Sequence, residues 1–196
     1  MLSLDSNIQF IKGVGEKRAK LFNSLGIFDV DSLIHFYPRK YEDWSNTDVK
    51  SANSGDTVCI KATMITPVSE AMIKKGLTLF KARFSDGENV IAVTIFNNKY
   101  LAKSLRVYND YYLYGKIDKN FTTASMSSPK IEKADEVLAI QPVYPAKDKL
   151  TSRAISKIMK TALDELSEID ETLSDDIMQK YGLVSLDTAI RNIHFP

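Results

Sequence analysis

Between residues 57 and 145 the apolar side chains fall in runs that alternate with polar ones, whereas on both sides of that stretch they recur at every third or fourth position. A period of two belongs to half-buried strands and a period of 3.6 to amphipathic helices. The chain therefore reads as helix, then sheet, then helix. Val58, Ile60, Ala62 and Met64 alternate with Thr57, Cys59, Lys61 and Thr63. Leu79 to Phe84 and Val90 to Phe96 are two further runs, separated by Ser85-Asp86-Gly87-Glu88; an Asp-Gly pair is a strong tight-hairpin signal. Lys74-Lys75-Gly76 reads as the tip of an earlier hairpin. Asn98 to Leu105 is short and helical or irregular, and Tyr111 to Lys119 is a fourth run rich in Tyr. Thr122 to Ile131 and Leu138 to Tyr144 are weaker strand candidates. Five to six short strands with one short helix after the third predict a small closed barrel of the OB type.

The flanks carry helix punctuation. A helix begins near Gly15 and is closed by Asn23 to Gly26, with Val14, Leu21, Phe22 and Leu25 on one face. Asp29 is the N-cap of a second, whose apolar face is Leu33, Ile34 and Phe36 and which Pro38 ends. After the barrel, Thr151 caps a helix with the stripe Ile155, Ile158, Met159, Ala162, Leu163 and Leu166. Ile177, Met178 and Tyr181 form another stripe, ended by Gly182, and Ser185 caps a third helix with Leu186, Ala189, Ile190 and Ile193. The expected class is α+β, an OB-type barrel flanked by an N-terminal helix-hairpin-helix-like segment and C-terminal helices. The expected boundaries are 1–50 for the helical hairpin and linker, 51–146 for the barrel and 147–196 for the last helices.

Composition excludes several alternatives. A 44% hydrophobic share over 196 residues is ample for a core. The lone Cys59 can form no internal disulfide, which points to a reducing compartment. One Cys with the distant His35 and His194 cannot build a Cys/His zinc site. The start of the chain lacks the basic and apolar pattern of a secretory signal, and no run approaches the ~18 apolar residues that span a bilayer. A cytoplasmic protein with no membrane partner is expected. The Gly-rich phosphate loop, the Gly-x-Ser-x-Gly elbow and the His-Glu-x-x-His pair are all missing, so no catalytic residue, metal or cofactor is expected in this chain. Asp175-Asp176 reads as a solvated helix face.

The formal net charge of +1 conceals a gradient. Residues 1–50 balance at 7 basic and 7 acidic, residues 51–133 carry 12 basic against 7 acidic, and residues 134–196 carry 7 against 11. The barrel is thus the basic part. Small barrels of this kind bind single-stranded nucleic acid by combining basic side chains with exposed aromatics on which bases stack. In Ile95-Phe96-Asn97-Asn98-Lys99-Tyr100, Phe96 closes the third strand and Tyr100 follows four residues later, flanked by Lys99 and Lys103. Two aromatics at this spacing can project from a barrel rim, although a strand-end Phe is more often a core residue than a ligand. Lys74 and Lys75 at the hairpin tip are further phosphate candidates. Gly13-Val14-Gly15 suits a tight turn whose following helix start can face a phosphate, with Lys17 on the first turn; it equally suits a plain helical hairpin.

Several segments together resemble the bacterial branched-DNA helicase family RecG: Ile11 to Ala19, Leu25-Gly26-Ile27, Phe36 to Asp43, Phe84 to Gly87, Phe96 to Leu101, Tyr114-Gly115-Lys116, Gln141 to Pro145 and Arg191 to Pro196. They run in order over nearly the whole chain. In that family two ATP-driven motor domains follow the Ile-His-Phe-Pro segment, so the resemblance implies the N-terminal wedge portion, with ATP and Mg belonging to the motor alone. It implies a monomeric, nucleoid-associated DNA repair and recombination module. Such a module docks on the branch point of a stalled fork or Holliday junction and splits the strands, with Phe96 and Tyr100 stacking on junction bases. The alternative is an OB module that docks on the motor domains without touching DNA, through C-terminal helices exposing Ile155, Met159 and Leu163.

Overall fold

The computed structural model describes residues 2–120, 123–134 and 139–196. In chain order its elements are a 3-10 turn at Ile8–Phe10, α1 (Glu16–Asn23), α2 (Val30–Ile34), β1 (Lys40–Asp43), β2 (Thr57–Met64), β3 (Ser69–Lys74), β4 (Leu77–Ser85), β5 (Val90–Phe96), α3 (Lys99–Ser104), β6 (Asp110–Lys119), β7 (Ala124–Ser127), β8 (Lys130–Lys133), β9 (Ile140–Val143), α4 (Ser152–Glu165), α5 (Asp175–Tyr181) and α6 (Leu186–His194). Thr122 and Leu138, where two expected strands begin, lie outside the described residues.

Two units emerge, Asp43–Ala139 and a second made of Met1–Glu42 together with Ile140–Pro196. The sequence divides the chain differently, into 1–50, 51–146 and 147–196. Periodicity marks where each helix lies but not which helices share a core, and here the two ends of the chain share one.

In the first unit the pairings close a ring. β2 pairs with β4 at one end and with β6 along Thr57–Thr63, β4 pairs with β5, β5 runs parallel to β7, and β7 pairs with β6. This is a five-stranded OB-type barrel with α3 after its third strand. β3 extends from β4, and β8 extends from β6. Inward positions alternate along β4 and β5, so Phe80, Ala82, Phe84, Ile91, Val93 and Ile95 are buried. Asp86-Gly87 turns the β4–β5 hairpin: Gly87 takes φ +105, where an L side chain would be strained, and the Asp86 carboxylate accepts from the Glu88 and Asn89 N–H groups. Burial raises the pKa of that carboxyl, but these donors outweigh burial and hold it below the usual range.

Cys59 departs from the expected alternation. It is buried because residues 44–47 cover that side of β2, with the Thr47 N–H donating to the Cys59 carbonyl at 2.7 Å. Burial, reinforced by the Asp43 carboxylate, pushes the thiol up to about 12, so it stays protonated and unreactive. Trp44 packs as a stacked pair with Tyr114, ring centroids 5.0 Å apart.

In the second unit α4 buries Ile155, Ile158, Met159, Ala162 and Leu163 against Phe22, Val30 and Leu33 from the N-terminal segment. The docking surface expected at Ile155, Met159 and Leu163 therefore does not exist: the chain's own N-terminal helices cover it. α5 reverses the expectation in the other direction, because none of its residues is buried. The helix expected before Gly13 is only the 3-10 turn, and α2 ends at Ile34, four residues ahead of Pro38.

α2 has five residues and depends on its cap. The Asp29 carboxylate accepts from the Ser32 N–H at 2.8 Å, while the Ser32 hydroxyl lies 3.1 Å from the Asp29 N–H. Such a box contributes about 1 kcal/mol. Asp29→Ala is expected to lower the stability of this unit by about that amount, read as a lower urea midpoint with unchanged slope. An unchanged midpoint would mean that packing alone holds α2.

Candidate nucleic-acid interface

Strand alternation decides where Phe96 points. Ile91, Val93 and Ile95 face the barrel interior, so Phe96 faces outward and is 44% exposed. Of the two sequence readings for this residue, the structure selects the exposed one. Its register partner is Leu79, and the neighbouring outward pairs are Lys81 with Thr94 and Arg83 with Ala92. The outer face of β4 and β5 is thus a strip of basic and small side chains that ends on an aromatic ring. A shallow groove of about 440 Å³ runs over this strip, lined by Thr66, Ser69, Lys81, Arg83, Ala92 and Thr94.

The turn after Phe96 is built by two asparagines with different tasks. Asn97 takes a left-handed backbone (φ +51), which Asn tolerates better than most residues. Its N–H donates to the Thr78 carbonyl at 2.9 Å, its side-chain oxygen accepts from the Thr78 N–H at 2.8 Å, and its amide nitrogen donates to the Gly76 carbonyl at 3.0 Å. Asn98 then caps α3 by accepting from the Leu101 N–H at 3.0 Å. The result places Tyr100 on the first turn of α3 with 88% of its surface in solvent.

Because Asn97 bonds to Gly76, the tip of the β3–β4 hairpin and its Lys74 and Lys75 are fastened to the aromatic turn. Lys99 lies 3.7 Å from Glu70 at the hairpin base, an exposed pair of small energetic worth. Lys103 is exposed in the last turn of α3. Phe96, Tyr100, Lys99, Lys103, Lys74 and Lys75 therefore all belong to β5, α3 and the adjoining hairpin of the barrel. Lys17 lies in the other unit, exposed on the first turn of α1. Gly13 near it serves the fold: it has φ +91, and a Cβ there would stand 3.4 Å from Ile158 of α4.

Two other basic residues of the barrel unit are committed to structure. Lys119 donates to the carbonyls of Val49, Lys50 and Ala52, and Arg106 donates to those of Lys103 and Leu105 at the end of α3. Sequence reasoning missed Lys81 and Arg83 of the strip and several further residues. Met72 and Ile73 on the hairpin are 76% and 59% exposed. Asn97, which sets the turn, is another. For Asn97 the signal was present, since Asn-Asn between a strand and a helix fits a left-handed residue followed by a cap.

The arrangement can stack flat apolar rings and neutralise anions beside them. Among the described residues no group of His, Cys, Asp and Glu could hold a metal ion, and no helix is long and apolar enough to cross a membrane.

The family model of the RecG wedge domain matches residues 7–166. The ATP-dependent DNA helicase RecG of Streptococcus pneumoniae is 30% identical over 201 residues, which take in 100% of this chain and 29% of that protein. The RecG of Borreliella burgdorferi is 31% identical over 197 residues, 95% of this chain and 28% of that protein. Among solved structures, RecG bound to a three-way DNA junction superposes with a TM-score of 0.83 at 25% identity, over 100% of this chain and 28% of that one. The chain thus spans under a third of the length of these relatives.

Proposed function

Since the chain belongs to the RecG wedge domain family, we propose that it is the branch-point-binding wedge of a DNA helicase, with Phe96 and Tyr100 as its stacking surface. The observation that carries the reading is the exposure of both rings on one strand-to-helix turn beside a basic strip. Bases at a fork or Holliday junction lose a stacking neighbour where the duplex opens, and an aromatic face replaces it at about 1–3 kcal/mol per base. Lys74, Lys75, Lys99 and Lys103 hold the flanking phosphates without reading sequence. The closed barrel is a rigid obstacle, so pulling duplex past it separates strands. The pulling is assigned to an ATP- and Mg-dependent motor in the remainder of such proteins, and this chain alone binds but does not unwind.

The test is a titration of a three-way fork against linear duplex of equal length at low salt. Preference for the fork is expected; equal affinity, or none, refutes the reading. If four lysines contact phosphate, the logarithm of the association constant falls with the logarithm of salt with a slope of about −3. A flat dependence would remove the lysines from the interface.

A second reading, docking on the motor without DNA contact, is favoured by one observation. The seven-residue α5 buries no side chain, and Ile177, Tyr181, Leu183 and Val184 in and after it are exposed. Isolated helices this short are unstable in water, so a partner surface would complete it. This reading predicts fork affinity no higher than duplex affinity.

A further inference from the structure

We propose that Met72 and Ile73, at the end of the β3–β4 hairpin, form an apolar wedge that enters the opened base step beside the bases stacked on Phe96 and Tyr100. The proposal rests on the branch-point reading above and adds a contact that neither the sequence nor the comparisons assign.

β3 pairs with β4 alone, and all six of its residues are exposed. It is therefore a projecting edge, the kind of strand that normally carries charge to prevent unwanted pairing. Lys74 and Lys75 meet that requirement, but Met72 and Ile73 do not. Apolar residues scattered singly on a surface need no explanation, whereas here two adjacent ones, 76% and 59% exposed, share a projecting tip. The register shifts between Met72 and Lys74, so Ile73 is the extra residue of a bulge. A bulge breaks the alternation that would send neighbouring side chains to opposite faces, and it re-aims them. Met72 pairs with Thr78, the residue whose backbone carries two of the bonds from Asn97.

A two-stranded hairpin is marginal by itself. This one is stiffened where stiffness matters to a wedge, because Asn97 bonds it at Thr78 and at Gly76. The same residue sets the turn that holds the two aromatics. The apolar tip and the stacking rings are thus one frame. Nucleic acid is the partner this chemistry fits: lysines follow the apolar pair directly, no acid lies between Ala71 and Gly76, and unbranched or branched apolar side chains of this size are those that proteins insert between base steps.

The test is fork binding by the full chain carrying Met72→Ala with Ile73→Ala, by the conservative pair Met72→Leu with Ile73→Val, and by Lys74→Gln with Lys75→Gln. Both apolar positions are exposed, so folding is not at stake. The alanine pair is expected to weaken fork binding on the order of 10-fold with an unchanged salt slope, and the conservative pair to retain it. The lysine pair should instead flatten the salt slope by between one and two units. Unchanged fork affinity in the alanine pair, while Phe96→Ala with Tyr100→Ala weakens it, overturns the wedge and leaves the branch-point reading intact; so does a loss accompanied by a flatter slope, since that is displacement of the lysines. A wild-type chain without fork preference overturns both.

Discussion

Fork affinity should fall by about 2–6 kcal/mol, which is roughly 30-fold or more, when Phe96 and Tyr100 are both replaced by alanine. The range is the stacking value for two bases, and the fall at either single site should be about half of it if each ring holds one base. Neither substitution touches the core. Phe96 points out of the barrel and Tyr100 is almost wholly in solvent, so the thermal midpoint should stay within a degree or two of wild type. Affinity for linear duplex should change little, because duplex offers no unstacked base and is held through phosphates. Replacement by Leu at both sites should recover only part of the loss, since Leu supplies apolar area without a flat face. A double variant that binds forks as the wild type does would remove stacking on these rings from the interface. Fork preference would then need another origin.

The second large effect concerns the helical unit. His194 is fully buried, with Nδ1 2.8 Å from the Tyr144 hydroxyl and Nε2 2.8 Å from the Ile34 carbonyl. A carbonyl can only accept, so Nε2 carries the proton and Nδ1 accepts from Tyr144. The neutral ring satisfies both partners, and the rings of Tyr37 and Tyr144 lie within about 25° of parallel to it, centroids 6.0 and 5.9 Å away. This ring ties α6 to α2 and to the segment after β9. His194→Ala strands a buried hydroxyl and a buried carbonyl, each at about 1–3 kcal/mol, and opens a cavity. A loss of roughly 3–6 kcal/mol is expected, enough to unfold the unit.

The same site predicts a pH dependence. Burial chiefly, with the nearby His35, lowers the His194 pKa below its ordinary 6.5, although the Ile34 carbonyl opposes the shift. The unfolded chain therefore takes up a proton at a pH where the folded chain does not. Stability is complete above about pH 6.5 and declines as pH falls below it, at up to about 1.4 kcal/mol per pH unit. The capped carboxyls of Asp29 and Asp187, held low mainly by Ser32 and Arg191 respectively, remain ionised in this window and lose their contribution only at more acid pH. Urea midpoints measured between pH 5 and 8 should show the decline in the wild type and not in a His194→Gln chain. A flat wild-type profile would contradict the buried neutral ring.

Most of the barrel was legible because its first strands carry their own evidence, whereas the weak run ending at Ile131 is two strands, β7 and β8, and the weak run ending at Tyr144 holds β9, which pairs with β1 outside the barrel. Period-two runs at 57–64 and 90–96, an Asp-Gly turn and a short helix after the third strand suffice to outline it. The partnership of the chain ends was not legible. Nothing local in Ile155 or Met159 says that Phe22 and Val30 will cover them; their stripe reads the same whether the cover is this chain or another. Ile177 and Tyr181 show the converse, a stripe at helical spacing that covers nothing. At the interface, Tyr100 could be picked out by its polar neighbours, and Phe96 only by the parity of a strand whose inward residues are Ile91, Val93 and Ile95. Met72 and Ile73 lay hidden because a Met-Ile pair in a strand-like run looks like core. Only the pairing of β3 with a single neighbour shows that no core lies behind it.

Stacking at the branch point is the central claim, and a fluorescent base reports on it directly. A three-way fork with 2-aminopurine at the first unpaired position of the branch should change its emission on titration with this chain, saturating at the affinity found by gel shift. The change should vanish in Phe96→Ala with Tyr100→Ala at concentrations that still saturate the fork, and the same probe in the middle of an arm should stay silent. An equal response at branch and arm, or a branch response that survives loss of both rings, would contradict the account.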